Sequence, residues 1–179
     1  SLSTAEKLIR QCFAELNPGG SLSLAFQGGE PTLAGLDFFR FFTQTVRKYN
    51  QKHVRVQYAI QTNGLAITED WAAFFRVGVS LDGIPSVHDA LRLDAGGGGT
   101  WERVSQALTL LNQYQVPCNL LCAVTKRLAK KAAGAYRTMK ETGIRYFQFI
   151  ACLDPPNVPR GKEDYSLSSE LYGQFLCCL

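Results

Sequence analysis

Residues 24–35, LAFQGGEPTLAG, place two glycines, an acid and a proline directly after a short apolar run. Glycine has no Cβ, so Gly28 and Gly29 let the backbone turn sharply and leave bare peptide groups open to a ligand. Pro31 fixes φ and cannot extend a sheet ladder. The same four residues would also serve as a plain strand-to-helix turn, so the stretch alone leaves both readings open.

A second group follows further along, in Ser80-Leu81-Asp82-Gly83 and Val87-His88-Asp89-Ala90-Leu91-Arg92. A guanidinium grips a carboxylate through two parallel hydrogen bonds, and a serine hydroxyl can add a third. Ser80 and Arg92 could therefore hold the carboxylate of an amino-acid-like ligand. The alternative is a surface pair of Arg92 with Asp89 or Asp94, worth about 0–1 kcal/mol. His88 reads as a structural hydrogen-bonding residue. Gln27, Gln57, Gln61 and Gln148 fall on strands or at their ends, where a side-chain amide needs a partner.

Two other features carry less. Gly96–Gly99 lacks the Gly-Lys-Ser/Thr ending of a phosphate loop and does not follow a strand, so it is expected to be a mobile loop. Cys118 and Cys122 are spaced like the first half of an iron–sulfur motif, but Thr125 stands where a third thiol is needed. Two thiols at that spacing share one face of a strand and read as core. No metal site is visible.

Alternating elements must position these groups. Ser3-Thr-Ala-Glu6 has the form of a capping box before a helix carrying Ala5, Leu8, Ile9, Cys12, Phe13 and Leu16. Strands are predicted at 22–26, at 54–61 ending in Thr62-Asn63-Gly64, at 77–81, at 119–124 and at 145–153. Helices are predicted from Leu36 to about Lys48, Glu69 to about Arg76, after a Thr100 cap, and Leu128 to about Thr142. Alternation of this kind implies a parallel sheet, either open or an arc of a barrel, whose carboxyl strand ends share one side. The link from Gly64 to Val77 is barely long enough for a crossover, and several residues are expected to be absent between Arg76 and Val77.

The chain has 179 residues, 46% hydrophobic and 19% charged, which suits one domain with a core. A net charge of +4 is too small to imply nucleic acid, and Lys126-Arg127 with Lys130-Lys131 reads as a solvated helix face. No apolar run reaches membrane-spanning length and no signal peptide opens the chain. Six cysteines without framework spacing fit reduced thiols in a cytoplasmic protein. The lack of an initiator Met, and the apolar helical pattern running into Leu179, read as a piece of something longer.

Phe26-Gln27-Gly28-Gly29-Glu30-Pro31-Thr32, Gln61-Thr62-Asn63-Gly64, Gly78-Val79-Ser80-Leu81-Asp82-Gly83 with His88-Asp89 and Arg92, and Gln148 to Asp154, in this order, resemble the radical S-adenosylmethionine superfamily. Within it they are most similar to the anaerobic sulfatase-maturating enzymes. The resemblance implies an α/β fold, a partial (βα)₆ TIM-like barrel incomplete at its first strand. Residues 1–153 would form that barrel, and 154–179 a loop and the start of a helix leading to a further domain.

It also implies a cofactor cradle. Gly28, Gly29 and Glu30 would turn backbone carbonyls to the methionine ammonium of S-adenosylmethionine. Ser80 and Arg92 would hold its carboxylate and nearby ribose groups, and Leu153 would meet adenine. Asn63 and Asp82 are read as shaping the turns. The Cys-x₃-Cys-x₂-Cys ligands of a 4Fe–4S cluster are expected before Ser1, and no catalytic residue falls within this chain.

The implied activity is an oxidoreductase that cleaves S-adenosylmethionine to a 5′-deoxyadenosyl radical and oxidises a cysteine or serine of a sulfatase to formylglycine. The implied partners are an unfolded sulfatase segment and an electron donor such as ferredoxin or flavodoxin, without nucleic acid or membrane. Rival readings are a maturase of a different peptide, an α/β nucleotide-binding module without radical chemistry, and a peptide-binding scaffold.

Overall fold

The computed structural model describes residues 1–72 and 75–179. Its sheet has five strands in the order β1-β2-β3-β4-β5, every neighbouring pair parallel, and it curls into a half-barrel with flanking helices. The strands are β1 (Ser21–Phe26), β2 (Arg55–Thr62), β3 (Arg76–Ser80), β4 (Cys118–Val124) and β5 (Tyr146–Ala151). The parallel sheet is what the alternation predicts, and the partial barrel is what the resemblance implies. Because the sheet is parallel throughout, the chain leaves every strand on the same side.

The first helices show why local signals need their partners. Helix α1 (Leu2–Glu15) buries Ala5, Ile9 and Phe13, four residues apart on one face. Its cap is Ser1, whose hydroxyl oxygen accepts from Thr4 N at 3.3 Å, and not the Ser3–Glu6 box. Glu6 instead accepts from Lys48 Nζ and Tyr49 OH at 3.1 and 3.0 Å, which ties α1 to α2 (Leu36–Tyr49). Helix α2 buries Phe39, Phe42 and Val46 against the sheet. Phe26 of β1 meets both phenylalanine rings edge-on at 5.0 Å, a favoured aromatic geometry.

Helix α3 covers Glu69–Ala72, and the remainder of the helix expected to reach Arg76 falls partly on residues 73–74, outside the described residues. Arg76 itself is strand, opposite Ala59, and Val77 follows opposite Ile60. The junction suspected of lacking residues therefore lies inside a regular strand.

Helix α4 (Pro85–Leu91) is not among the predicted helices, although Ile84, Val87 and Leu91 recur at helical spacing. Proline at its first position, Val87 in the core and the buried His88 hold it. Helix α5 (Trp101–Gln113) packs Val104, Leu108 and Leu111 inward. The helix predicted from Leu128 divides into α6 (Lys126–Ala129) and α7 (Ala132–Glu141), with the break at Lys130-Lys131. Strand β5 stops at Ala151, before Leu153. Helix α8 (Ser169–Cys177) buries Phe175 among Val124, Ala129 and Ala132, and Tyr172 OH donates to Phe149 O at 3.2 Å.

The core lies between these helices and one face of the sheet. Ile60, Val77, Val79, Leu120 and Cys122 point into it from β2, β3 and β4. The opposite face carries Ser23, Ala25, Gln57, Gln148 and Ile150, all exposed. Near its centre, Gly78 sits opposite Gln61 on one side and Asn119 on the other. A Cβ there would come within 2.7 Å of Leu121 Cδ1, so the leucine of β4 leans over the glycine of β3. Among the described residues no helix is long and apolar enough to cross a membrane.

Candidate functional site

The carboxyl ends of the strands gather the polar groups, and two acids organise them. Glu30 lies four residues past β1, in the turn that Gly28 and Gly29 open. Its carboxylate accepts from Thr32 N and Thr32 Oγ1 at 3.0 and 2.6 Å, and from Thr62 Oγ1 and Asn63 N at 2.8 and 2.7 Å. One side chain thus sews the Gly28–Pro31 turn to the Thr62-Asn63-Gly64 turn. Burial works against its ionisation, but the donated N–H of Asn63 and the donors of Thr32 and Thr62 outweigh it, so the carboxyl is held below its ordinary 4.5. Thr62 and Asn63 are therefore structural partners of the acid. The Thr-Asn pair at the end of an alternating run was the signal available for them.

Beside this knot the backbone stays bare. Gly28 and Gly29 are exposed, with φ of +93° and +55°, in the region that favours glycine. A Cβ on either would meet nothing within 4 Å. These glycines are needed for the turn, and the space over them is open to a ligand.

The second acid is Asp82, two residues past β3 and 2% exposed. Its Oδ2 accepts from Arg92 Nε at 2.6 Å, and its Oδ1 accepts from Arg92 Nη2 at 3.3 Å and from Ala123 N on β4 at 2.8 Å. Arg92 is thus paired with Asp82, and neither with Asp89 nor with Asp94. Asp89 accepts from Trp101 N at 2.8 Å, and Asp94 pairs with Arg103 at 2.9 Å. Reading Asp82 only as a turn-shaping residue understated it.

His88 closes the arrangement. Its Nδ1 accepts from Asp82 N at 3.2 Å, and its Nε2 lies 2.9 Å from Thr100 Oγ1. The Thr100 hydroxyl donates its one proton to Arg92 O at 2.8 Å, so Nε2 must carry the ring proton and donate to Thr100. Both ring nitrogens are committed, and burial pushes the His88 pKa below its ordinary 6.5. Thr100 stands at the start of α5 but makes no side-chain cap bond there, because its hydroxyl is spent on Arg92 and His88.

Ser80, the last residue of β3, is 8% exposed, and its hydroxyl has no hydrogen-bond partner among the described residues. Leu153 is 81% exposed, two residues past β5. Gly28, Gly29, Glu30, Ser80, Arg92 and Leu153 therefore all lie at or beyond carboxyl strand ends, on one side of the sheet. Four inter-strand steps separate β1 from β5, about 19 Å along a flat sheet at the usual spacing. A ligand touching both ends must be elongated, and curling of the sheet shortens the span.

Neighbouring features do other work. The Gly96–Gly99 loop, expected to be mobile, is held by Asp94, whose Oδ1 accepts from Gly96 N and Gly98 N at 3.0 and 2.9 Å. Asp154 likewise accepts from Gly161 N and Ser166 Oγ at 2.8 and 2.5 Å, ordering the loop after β5. Cys118 and Cys122 are buried in the helix-covered core, where loss of water pushes the Cys118 thiol up to about 12 and the Cys122 thiol higher still. Among the described residues no three His, Cys, Asp or Glu side chains gather as a metal site. The donor set therefore does not fit a cluster. A free hydroxyl at the end of β3 and a guanidinium beyond it can donate to an anion, and open peptide groups stand beyond β1.

No family model matches the chain. Individual relatives do. The cysteine-type anaerobic sulfatase-maturating enzyme of Clostridium novyi (strain NT) is 42% identical over 180 residues, covering 98% of this chain and 48% of that protein. The serine-type enzyme of Klebsiella aerogenes is 35% identical over 178 residues, covering 96% of this chain and 43% of that protein. Among solved structures, native anSMEcpe with bound AdoMet and the Kp18Cys peptide superposes with a TM-score of 0.92 at 40% identity, covering 97% of this chain and 49% of that one. Streptococcus suis SuiB, 17% identical with a TM-score of 0.62, shares the fold. The chain spans about half the length of the curated relatives it matches. With such identity along nearly its whole length, this chain belongs to the anaerobic sulfatase-maturating enzymes, a subfamily of the radical S-adenosylmethionine proteins.

Proposed function

We propose that the intact protein is a radical S-adenosylmethionine oxidoreductase that converts a cysteine or serine in an unfolded sulfatase segment to formylglycine. The observation that carries this reading is the match, across 98% of the chain, to relatives named for sulfatase maturation. The half-barrel supports it, because its strand ends offer what the cofactor's amino-acid moiety requires.

Bound together, the cofactor and a reduced 4Fe–4S cluster supply one-electron hydrogen abstraction; the chain supplies grip and orientation. Arg92 gives a fixed cation to the ligand carboxylate, and Ser80 adds a hydroxyl donor. The carbonyls of Gly28, Gly29 and Glu30 accept from the ammonium, with the Glu30 carboxylate fastening the turn that presents them. Leu153 gives adenine an apolar surface, and the exposed inner face of the sheet is left for the peptide. We place the cluster ligands outside these residues, and read 154–179 as the passage from the barrel toward a further domain. A small reducing protein of the ferredoxin or flavodoxin kind would deliver the electron.

The test uses the full-length protein, reconstituted anaerobically with iron and sulfide and given S-adenosylmethionine, a reductant and a sulfatase peptide. The expected result is 5′-deoxyadenosine together with an aldehyde at the target residue. Failure to form 5′-deoxyadenosine overturns the reading. Formation of it with no change in the peptide overturns only the sulfatase assignment. Peptides bearing cysteine or serine at the target position decide the preference.

A further inference from the structure

Arginine carries five N–H donors in a rigid planar fork, and Asp82 takes two of them, Nε–H and one on Nη2. The Nε edge of the guanidinium is thereby closed. The edge formed by Nη1 and the second proton of Nη2 keeps its donors, and Arg92 has no other side-chain partner among the described residues. The exposures are lopsided, with the Asp82 side chain 4% exposed and that of Arg92 31%. A buried anion holds the base of the fork while the tips reach the open end of the sheet.

Every other support of Arg92 is anchored as well. Asp82 is fixed from β4 by Ala123 N, and its own N–H donates to His88 Nδ1. His88 Nε2 braces Thr100, and the Thr100 hydroxyl holds the Arg92 carbonyl. Arg92 N donates to His88 O at 2.8 Å. The side chain and the backbone of this one residue are therefore held from β3, β4, α4 and the start of α5.

We propose that Asp82 is a positioning residue for ligand binding: it pre-sets the Arg92 guanidinium so that the Nη1–Nη2 edge faces the carboxylate of S-adenosylmethionine, with the His88–Thr100 strut fixing the backbone beneath. The proposal rests on the functional reading above. Arginine is rich in rotamers, and holding it in its bound geometry beforehand spares that ordering when the ligand arrives. A lysine would keep the charge but could not be clamped along one edge while offering the other.

A double-mutant cycle in the full-length, cluster-loaded protein tests this, with S-adenosylmethionine as the probe in equilibrium binding and in reductive cleavage. Asp82→Asn is expected to raise Kd and KM by about tenfold while changing kcat by less than about threefold. In an Arg92→Ala background the same substitution should add nothing, since the group it positions is gone. Thr100→Val should raise Kd by about threefold and likewise add nothing beside Arg92→Ala. This second cycle decides the matter if Asp82→Asn does not fold.

Wild-type affinity in Asp82→Asn, or losses that add to those of Arg92→Ala, would overturn the positioning role and leave the functional reading intact. Failure of the unsubstituted, cluster-loaded protein to bind S-adenosylmethionine would remove both.

Discussion

Two acids stand at equivalent places, each just beyond a parallel strand, and they are satisfied by opposite means. Glu30 takes four hydrogen bonds from neutral donors, two of them backbone N–H groups and two of them threonine hydroxyls. Asp82 takes one backbone N–H and the forked edge of an arginine. The first arrangement joins two turns, and each of its four donors is spent on the carboxylate. The second neutralises its own charge and still has guanidinium donors to offer outward. The difference teaches that an acid at a strand end can serve a site in two ways, by holding backbone still or by aiming a cation.

The largest expected break in this comparison is Asp82→Ala. Removing one partner of a mostly buried ion pair leaves an uncompensated cation and an orphaned Ala123 N–H, a loss of about 3 kcal/mol, reduced from the fully buried case because Arg92 is partly exposed. Urea unfolding of the full-length protein measures it. A loss below about 1 kcal/mol would show that water replaces Asp82.

The next contrast lies in the glycines that flank the two acids. Gly83, beside Asp82, has φ +67°, and a Cβ there would strike Leu128 Cδ1 and approach Ala135 Cβ within 2.9 Å. Gly83→Ala should therefore lose about 2–3 kcal/mol from overpacking and backbone strain together. Gly29→Ala, with open space around it, should lose only the strain of about 1 kcal/mol. Equal losses in thermal or chemical unfolding would erase the distinction between a packed turn and an open one.

Glu30→Gln sharpens the neutral-donor side. The amide keeps one acceptor oxygen and puts an NH₂ where a second acceptor stood, at a loss of about 1–2 kcal/mol. Because the Glu30 pKa is lowered in the fold, its contribution is present above 4.5 and is lost as pH falls through the folded value. The acid limb of the stability curve should flatten in Glu30→Gln.

The smallest effect belongs to the Asp82 side. His88 is depressed below 6.5, so on acidification the unfolded chain takes up the proton first and the native state loses stability from about pH 6.5 downward. Protonation would also remove the acceptor for Asp82 N. His88→Gln should remove this part of the pH dependence, and an unchanged curve between pH 5 and 7 would show that His88 does not titrate on unfolding.

Much of this architecture was legible in the sequence, for reasons particular residues make plain. Val56, Tyr58 and Ile60 alternate with polar neighbours, so β2 announced itself, and Gly28-Gly29 marked where β1 had to stop. The polar strand ends were visible as a set because a parallel sheet puts them on one side. What stayed hidden depended on contacts distant along the chain. Glu6 looked like a cap residue until Lys48 and Tyr49 claimed it, 42 and 43 residues away. Helix α4 offered only the short stripe Ile84, Val87 and Leu91, and the hydrogen bonds of His88 that anchor it beside Val87 could not be read from spacing. Arg92 had acidic neighbours on both sides in sequence, and only the return of the chain through α4 brings it to Asp82 instead.

The missing side chain at Gly78 has its effect one strand away, because Leu121 occupies the notch it leaves. The floor of the half-barrel is thereby kept low at its centre. Any larger residue at position 78 would lift that leucine into the hollow above, since a flexible methyl group yields more readily than a sheet. A site can thus be plugged from underneath by a change that touches no ligand and leaves every strand in place.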